Sequence, residues 1–150
     1  MAPSESAKQM CWAAEHGSAA AQTLLGLWHL VGEQGLVQDH VKAVAWFRKA
    51  AGLGYAQGQR ELALCYLEGK GVEQSCALSV ECGQKAADQG DAAAQWFVGE
   101  SYALGAVGVK KDLPLGKRYQ ALSAAHGAVL AVTLLEKLRK CVAGSSTCTT

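Results

Sequence analysis

Six cysteines and four histidines are the side chains whose chemistry would matter most if they converged. The cysteines stand at 11, 65, 76, 82, 141 and 148. None forms the Cys-x-x-Cys spacing that marks a zinc or dithiol site. His16, His29, His40 and His126 are scattered along the chain. His16 and His126 stand beside turn glycines, where the partial negative charge of a helix C-terminus favours an imidazole. His29 takes a slot that Tyr66 and Tyr102 fill further on, and reads as a packing residue. No HExxH, GxSxG, paired-carboxylate or phosphate-loop pattern occurs. The glycine-rich GKGV and GAVGV stretches join helix to helix, not strand to helix, and so lack the context of a nucleotide site. These residues point to no catalytic group, no metal and no cofactor, and the chain is expected not to be an enzyme.

The elements that would position any site are given by an internal repeat. Aligning on Ala-Ala-x-x-Gly sets Ala13-Ala14…Gly17, Ala50-Ala51…Gly54 and Ala86-Ala87…Gly90 in phase, with a weaker copy at Ser123-Ala124…Gly127. The glycine spacings are 37, 36 and 37. After each marker glycine comes a helical pattern ending at Gly32, Gly69 or Gly105. A short loop with a second glycine and an aliphatic residue follows (Gly35-Leu36, Gly71-Val72, Gly108-Val109). Then a capping residue, Asp39, Ser75 or Asp112, opens another helix. Each unit is thus two antiparallel helices, and a single hairpin cannot bury its apolar face without stacking on a neighbour. Helices are expected at about 4–15, 18–31, 39–51, 55–68, 75–88, 91–104, 112–125 and 128–142. Residues 1–142 read as one domain, and 143–150 (AGSSTCTT) as a flexible tail.

The stretch GLVQDHVKAVAWFRKAAGLGYAQGQRELALCYLEGKGV, residues 35–72, carries in order an aliphatic-x-x-Asp, Lys-Ala, Trp, Lys-Ala-Ala, Gly-x-Ala, Leu-small-x-x-Tyr and Gly-x-Gly-Val. It resembles the Sel-one-like repeat family, relatives of tetratricopeptide repeats, over about residues 10–140. The resemblance implies an all-α, right-handed α-solenoid. Later second helices depart from the pattern. Lys42-Ala43 becomes Leu78-Ser79 and then Leu115-Gly116, while Trp46 becomes Cys82 and then Tyr119. Those helices are expected to pack less regularly.

In related solenoids the first helix of each unit lines the concave side, at positions +3, +6, +10, +13 and +14 from the marker glycine. The expected protein-binding face therefore includes Thr23, Leu27, Val31, Arg60, Leu64, Trp96, Glu100 and Lys137, with Leu30, Leu67, Glu68, Ala93, Leu104, Leu130 and Thr133 beside them. A groove with an aliphatic floor, one Trp and flanking charges suits an extended peptide or a partner helix. The expected function is an adaptor binding other proteins on this face. The alternatives are a permanent subunit of a larger complex or, more distantly, a lactam-binding hydrolase-like member of the family. Cys65 and Cys76 flank the Gly69–Gly71 turn, so antiparallel helices would set them level enough for a disulfide.

Net charge is +1 with both signs mixed, against the concentrated basic face that nucleic acid demands. Lys137, Arg139 and Lys140 read as the cation-rich last turn of a helix. No apolar run is long enough to span a membrane, and MAPSESAKQMCWAAEHG lacks the form of a secretory signal. A cytoplasmic or otherwise reducing location, with most cysteines as thiols, is the expectation.

Overall fold

The computed structural model describes residues 2–106, 108–126 and 139–140. Seven α-helices occur among them: α1 (Glu5–Glu15), α2 (Ala19–Val31), α3 (His40–Gly52), α4 (Ala56–Glu68), α5 (Cys76–Asp88), α6 (Ala92–Leu104) and α7 (Leu113–His126). Every end agrees with the sequence expectation to within one residue. The described residues contain no strand. Most of the helix expected at 128–142, the tail, and with them Leu130, Thr133 and Lys137, lie outside the described residues.

The boundaries follow from caps. Ser4, Ser18, Asp39, Ser75 and Asp91 each accept a hydrogen bond from the backbone N–H three residues on, and Asp112 accepts from the N–H of Leu115. Each satisfies a donor that the first turn of a helix leaves without an intrahelical partner. Helices α2, α4 and α6 stop at Gly32, Gly69 and Gly105, whose φ of 79°, 69° and 68° is the left-handed conformation that side chains disfavour.

Each hairpin is closed by the same bonds. The N–H groups of Asp39, Ser75 and Asp112 donate to the carbonyls of His29, Tyr66 and Tyr102 at 2.8, 2.9 and 3.0 Å. Gln38 and Gln74 add an amide bond to the carbonyls of Leu30 and Leu67, near the last turns of α2 and α4. Successive hairpins are joined by glutamines at +5. Gln22, Gln59 and Gln95 donate to the carbonyls of Ala14, Ala51 and Ala87 at 3.0, 3.5 and 3.1 Å. All three glutamines are buried. On the other side of the stack, Arg48 donates to the Tyr66 hydroxyl at 3.2 Å. In the next unit the Tyr102 hydroxyl donates to Gln84, also at 3.2 Å.

The core runs along the stack as three apolar clusters. The first holds Ala14, Ala21 and Leu25, the second Ala43, Val44, Phe47, Leu62 and Cys65. The third is built from Leu67, Val80, Ala86, Ala94, Phe97, Val98, Tyr119 and their neighbours. Contrary to the expectation of looser packing, α5 buries Cys76, Ser79, Val80, Gly83, Ala86 and Ala87, and Tyr119 of α7 belongs to the third cluster.

Within the first hairpin, α2 and α3 approach at Gly26, where an added methyl would overlap the Phe47 ring. Gly26→Ala gains about 0.5–1 kcal/mol from helix propensity and loses about 1–3 kcal/mol to overpacking. The net expectation is a loss of about 1 kcal/mol, measured as a lower urea midpoint. The double variant Gly26→Ala/Phe47→Leu should fall by less than the sum of the two single losses, because the smaller side chain relieves the overlap.

Candidate protein-binding face

The equivalent positions of α2, α4 and α6 do not behave alike. At +6, Thr23 is only 1% exposed and its hydroxyl donates to the Ala19 carbonyl, whereas Arg60 and Trp96 are half-buried. Thr23 is therefore a core residue and not part of the face. A threonine can return its hydroxyl to its own helix, which removes the cost of burying it. At +10, Leu27, Leu64 and Glu100 are half-buried. At +14, Val31 and Leu104 are exposed while Glu68 is half-buried. Leu67 and Ala93, expected beside the face, belong to the third apolar cluster, where α4 is enclosed between α3 and α5. What remains of the expected face is Leu27, Val31, Arg60, Leu64, Trp96 and Glu100. Among these, Leu64 and Trp96 pack their inner sides on the third cluster and Leu27 on the second.

Charge is concentrated around Arg60. Its guanidinium donates to Asp91 at 2.9 Å and to Glu61 at 3.4 Å, with all three side chains mostly buried. Asp91 divides its carboxylate, one oxygen capping α6 through the Ala94 N–H and the other receiving Arg60. The pair therefore ties the middle of α4 to the start of α6. Glu100 accepts from the Gln120 amide, which fixes it against α7. Lys70 pairs with Glu68 at 2.9 Å at the end of α4.

Reactive groups do not assemble. Among the described residues no three His, Cys, Asp or Glu side chains come close enough to hold a metal ion. His16 caps α1, its Nδ1 2.7 Å from the Trp12 carbonyl and its ring stacked on Trp12 at 4.1 Å. His29 sits 3.3 Å from the Val37 carbonyl in the loop after α2. Burial pushes the thiols of Cys11 and Cys82 up; for Cys82 this outweighs the opposing pull of Lys85 and Arg48. Both are poorer nucleophiles at neutral pH than an exposed cysteine. The expected pairing of Cys65 with Cys76 is corrected. Cys76 is disulfide-bonded, but Cys65 carries a thiol. The reason is the way the helices turn their faces. Cys65 points from α4 into the second cluster with Phe47, and Cys76 points from α5 into the third.

The joining glutamines escaped the sequence reading although their signal, a Gln five residues after each marker glycine, was present in all three units.

The Sel1 repeat pattern matches residues 19–55, 56–91 and 92–127, one hairpin each. A curated relative, the ERAD-associated E3 ubiquitin-protein ligase component HRD3B of Arabidopsis thaliana, is 36% identical over 103 residues, 67% of this chain and 15% of that protein. DAP3-binding cell death enhancer 1 of Rattus norvegicus is 39% identical over 83 residues, 55% of this chain and 16% of that one. The chain thus spans about a sixth of the length of these relatives. Among solved structures, a Sel1 repeat protein from Oxalobacter formigenes superposes with a TM-score of 0.74 at 34% identity, covering 85% of this chain and 98% of that one. A protective antigen of uropathogenic Escherichia coli with an SLR fold gives 0.77 at 36% identity, over 81% of this chain and 26% of the other. The fold is an all-α solenoid of repeated hairpins. No helix among the described residues is long and apolar enough to cross a membrane.

The two duties of Asp91 can be separated. Asp91→Asn keeps a good cap and loses the charge pair, an expected cost of about 1–2 kcal/mol. Asp91→Ala loses the cap as well, about 1 kcal/mol more. Urea unfolding of the two variants beside the parent measures the difference.

Proposed function

From the premise that the chain belongs to the Sel1 repeat family, we propose that it is a non-catalytic interaction module that binds another protein on the face formed by α2, α4 and α6. The observation that carries this reading is the arrangement of Leu27, Leu64 and Trp96. Leu27 and Leu64 hold the +10 position of α2 and α4, Trp96 holds the +6 position of α6, and each packs one side on the core while its other side is left half-exposed. Interface hot spots are enriched in Trp and Arg over a desolvated floor. Arg60 and Glu100 stand beside this row with their orientations set by Asp91 and Gln120. Groups fixed beforehand lose less entropy when a ligand is bound.

The plant relative is named as a component of a ligase and the rat relative for binding DAP3. Both names suit a chain whose work is to hold proteins together. The first of them also favours the second reading, a permanent subunit of a larger assembly.

The test is affinity capture from the native source with the parent chain and with Trp96→Ala/Arg60→Ala. An adaptor of this kind loses its companions by roughly 30-fold or more, the loss of a hot spot of about 2 kcal/mol or above. Circular dichroism establishes that the variant keeps its helices. A companion retained in full stoichiometry by the variant would instead favour the permanent subunit, held through other surfaces.

A further inference from the structure

The three hairpins differ at their point of closest approach. In the first, Gly26 of α2 makes room for the Phe47 ring of α3, and in the third Gly99 of α6 makes room for the Gln120 side chain of α7. The equivalent pair in the second hairpin is Ala63 of α4 and Gly83 of α5. Both are small, so the side chain that fills this place in the other two units is missing. Phe97 from α6 leans over Gly83, its ring 3.0 Å from where a methyl would stand, yet it does not close the gap. A cavity of about 10 Å³ remains, lined by Arg60, Ala63, Leu64, Gly83, Ala93, Ala94 and Phe97. Protein interiors rarely leave such voids. An apolar wall gives a trapped water too few hydrogen-bond partners to hold it there. Of the lining residues only Arg60 and Leu64 reach solvent, and both belong to the face already described.

We propose that this cavity is the anchor point for a partner: it receives the tip of a small aliphatic side chain, of Ala, Val or Ile, from an extended segment that carries Lys or Arg beside it. The proposal rests on reading the α2–α4–α6 face as the protein-binding one. The size of the hole admits a methyl-sized group. The basic neighbour follows from charge, because the carboxylates of Asp91 and Glu61 flank Arg60 at the opening. Glu100, one turn along α6 from Trp96, adds a second acid on the same face.

The experiment is selection of a random heptapeptide pool displayed on phage against the whole chain, followed by affinity measurement of the enriched peptides. The expected result is enrichment of a small aliphatic residue next to Lys or Arg. Such a peptide should lose at least tenfold in affinity for Ala63→Val, a substitution that fills the hole and leaves the thermal midpoint equal or higher. If Ala63→Val lowers the midpoint, the smaller Ala63→Cys serves as the second filling variant and is read against the same peptide. Enriched peptides without that pair, or peptides that bind the filled variants as tightly as the parent, overturn the cavity as anchor. When those peptides still lose affinity for Trp96→Ala, the wider face stands and only the anchor falls. A pool from which nothing is enriched overturns both.

Discussion

The bond on which the stack depends most is the one between a buried glutamine amide and a carbonyl at the end of the preceding helix. Gln22, Gln59 and Gln95 each reach back eight residues to Ala14, Ala51 and Ala87. Those carbonyls belong to the last turns of α1, α3 and α5 and also accept from the N–H groups of Gly17, Gly54 and Gly90, so the glutamine amide takes the remaining lone pair. Without that acceptor the buried amide N–H would cost about 1–3 kcal/mol. Bonded, each fixes the angle at which one hairpin hands over to the next. The inter-unit ties of Arg48 with Tyr66 and Gln84 with Tyr102 act at the far side of the same junctions. The α3/α4 and α5/α6 junctions are therefore each held at two separated points, and the direction of the face formed by α2, α4 and α6 is inherited from these bonds rather than from the apolar clusters, which are non-directional.

Helix bounds were legible because turn glycines and caps are local devices. Whether Gly32 ends a helix and Asp39 starts the next is decided within a few residues, so the type and spacing of those residues suffice. The inside and outside of each helix were legible only in part. A fixed offset from the marker glycine picks out Arg60 and Trp96, which are half-buried, but also Thr23, which is in the core. The difference lies in the side chain's ability to bond to its own helix and in what the next hairpin lays over it. Leu67 was misplaced for a similar reason, since α4 is enclosed by neighbours whose positions no local pattern reports.

The Cys65–Cys76 pairing failed at the same level. Distance from a turn gives the height of a residue on a helix but not the face it occupies. The Ala63–Gly83 gap was present in the sequence as two small residues 20 apart. It acquires meaning only when the pairs Gly26–Phe47 and Gly99–Gln120 reveal which residues oppose one another.

The loop glycines Gly35 and Gly71 rest on backbone, not on side chains. The space a methyl would need is held by the Ala2 carbonyl in one case and the His40 carbonyl in the other. A seat made of peptide groups is the same whatever residues surround it. The third loop glycine, Gly108, meets the Ala77 methyl instead. A hairpin exchanged between the first two loops therefore finds the contact it left behind, and duplication or deletion of a unit there is tolerated at this edge without compensating substitutions. Change at the first helices, where Arg60, Leu64 and Trp96 differ from unit to unit, can proceed independently of array length.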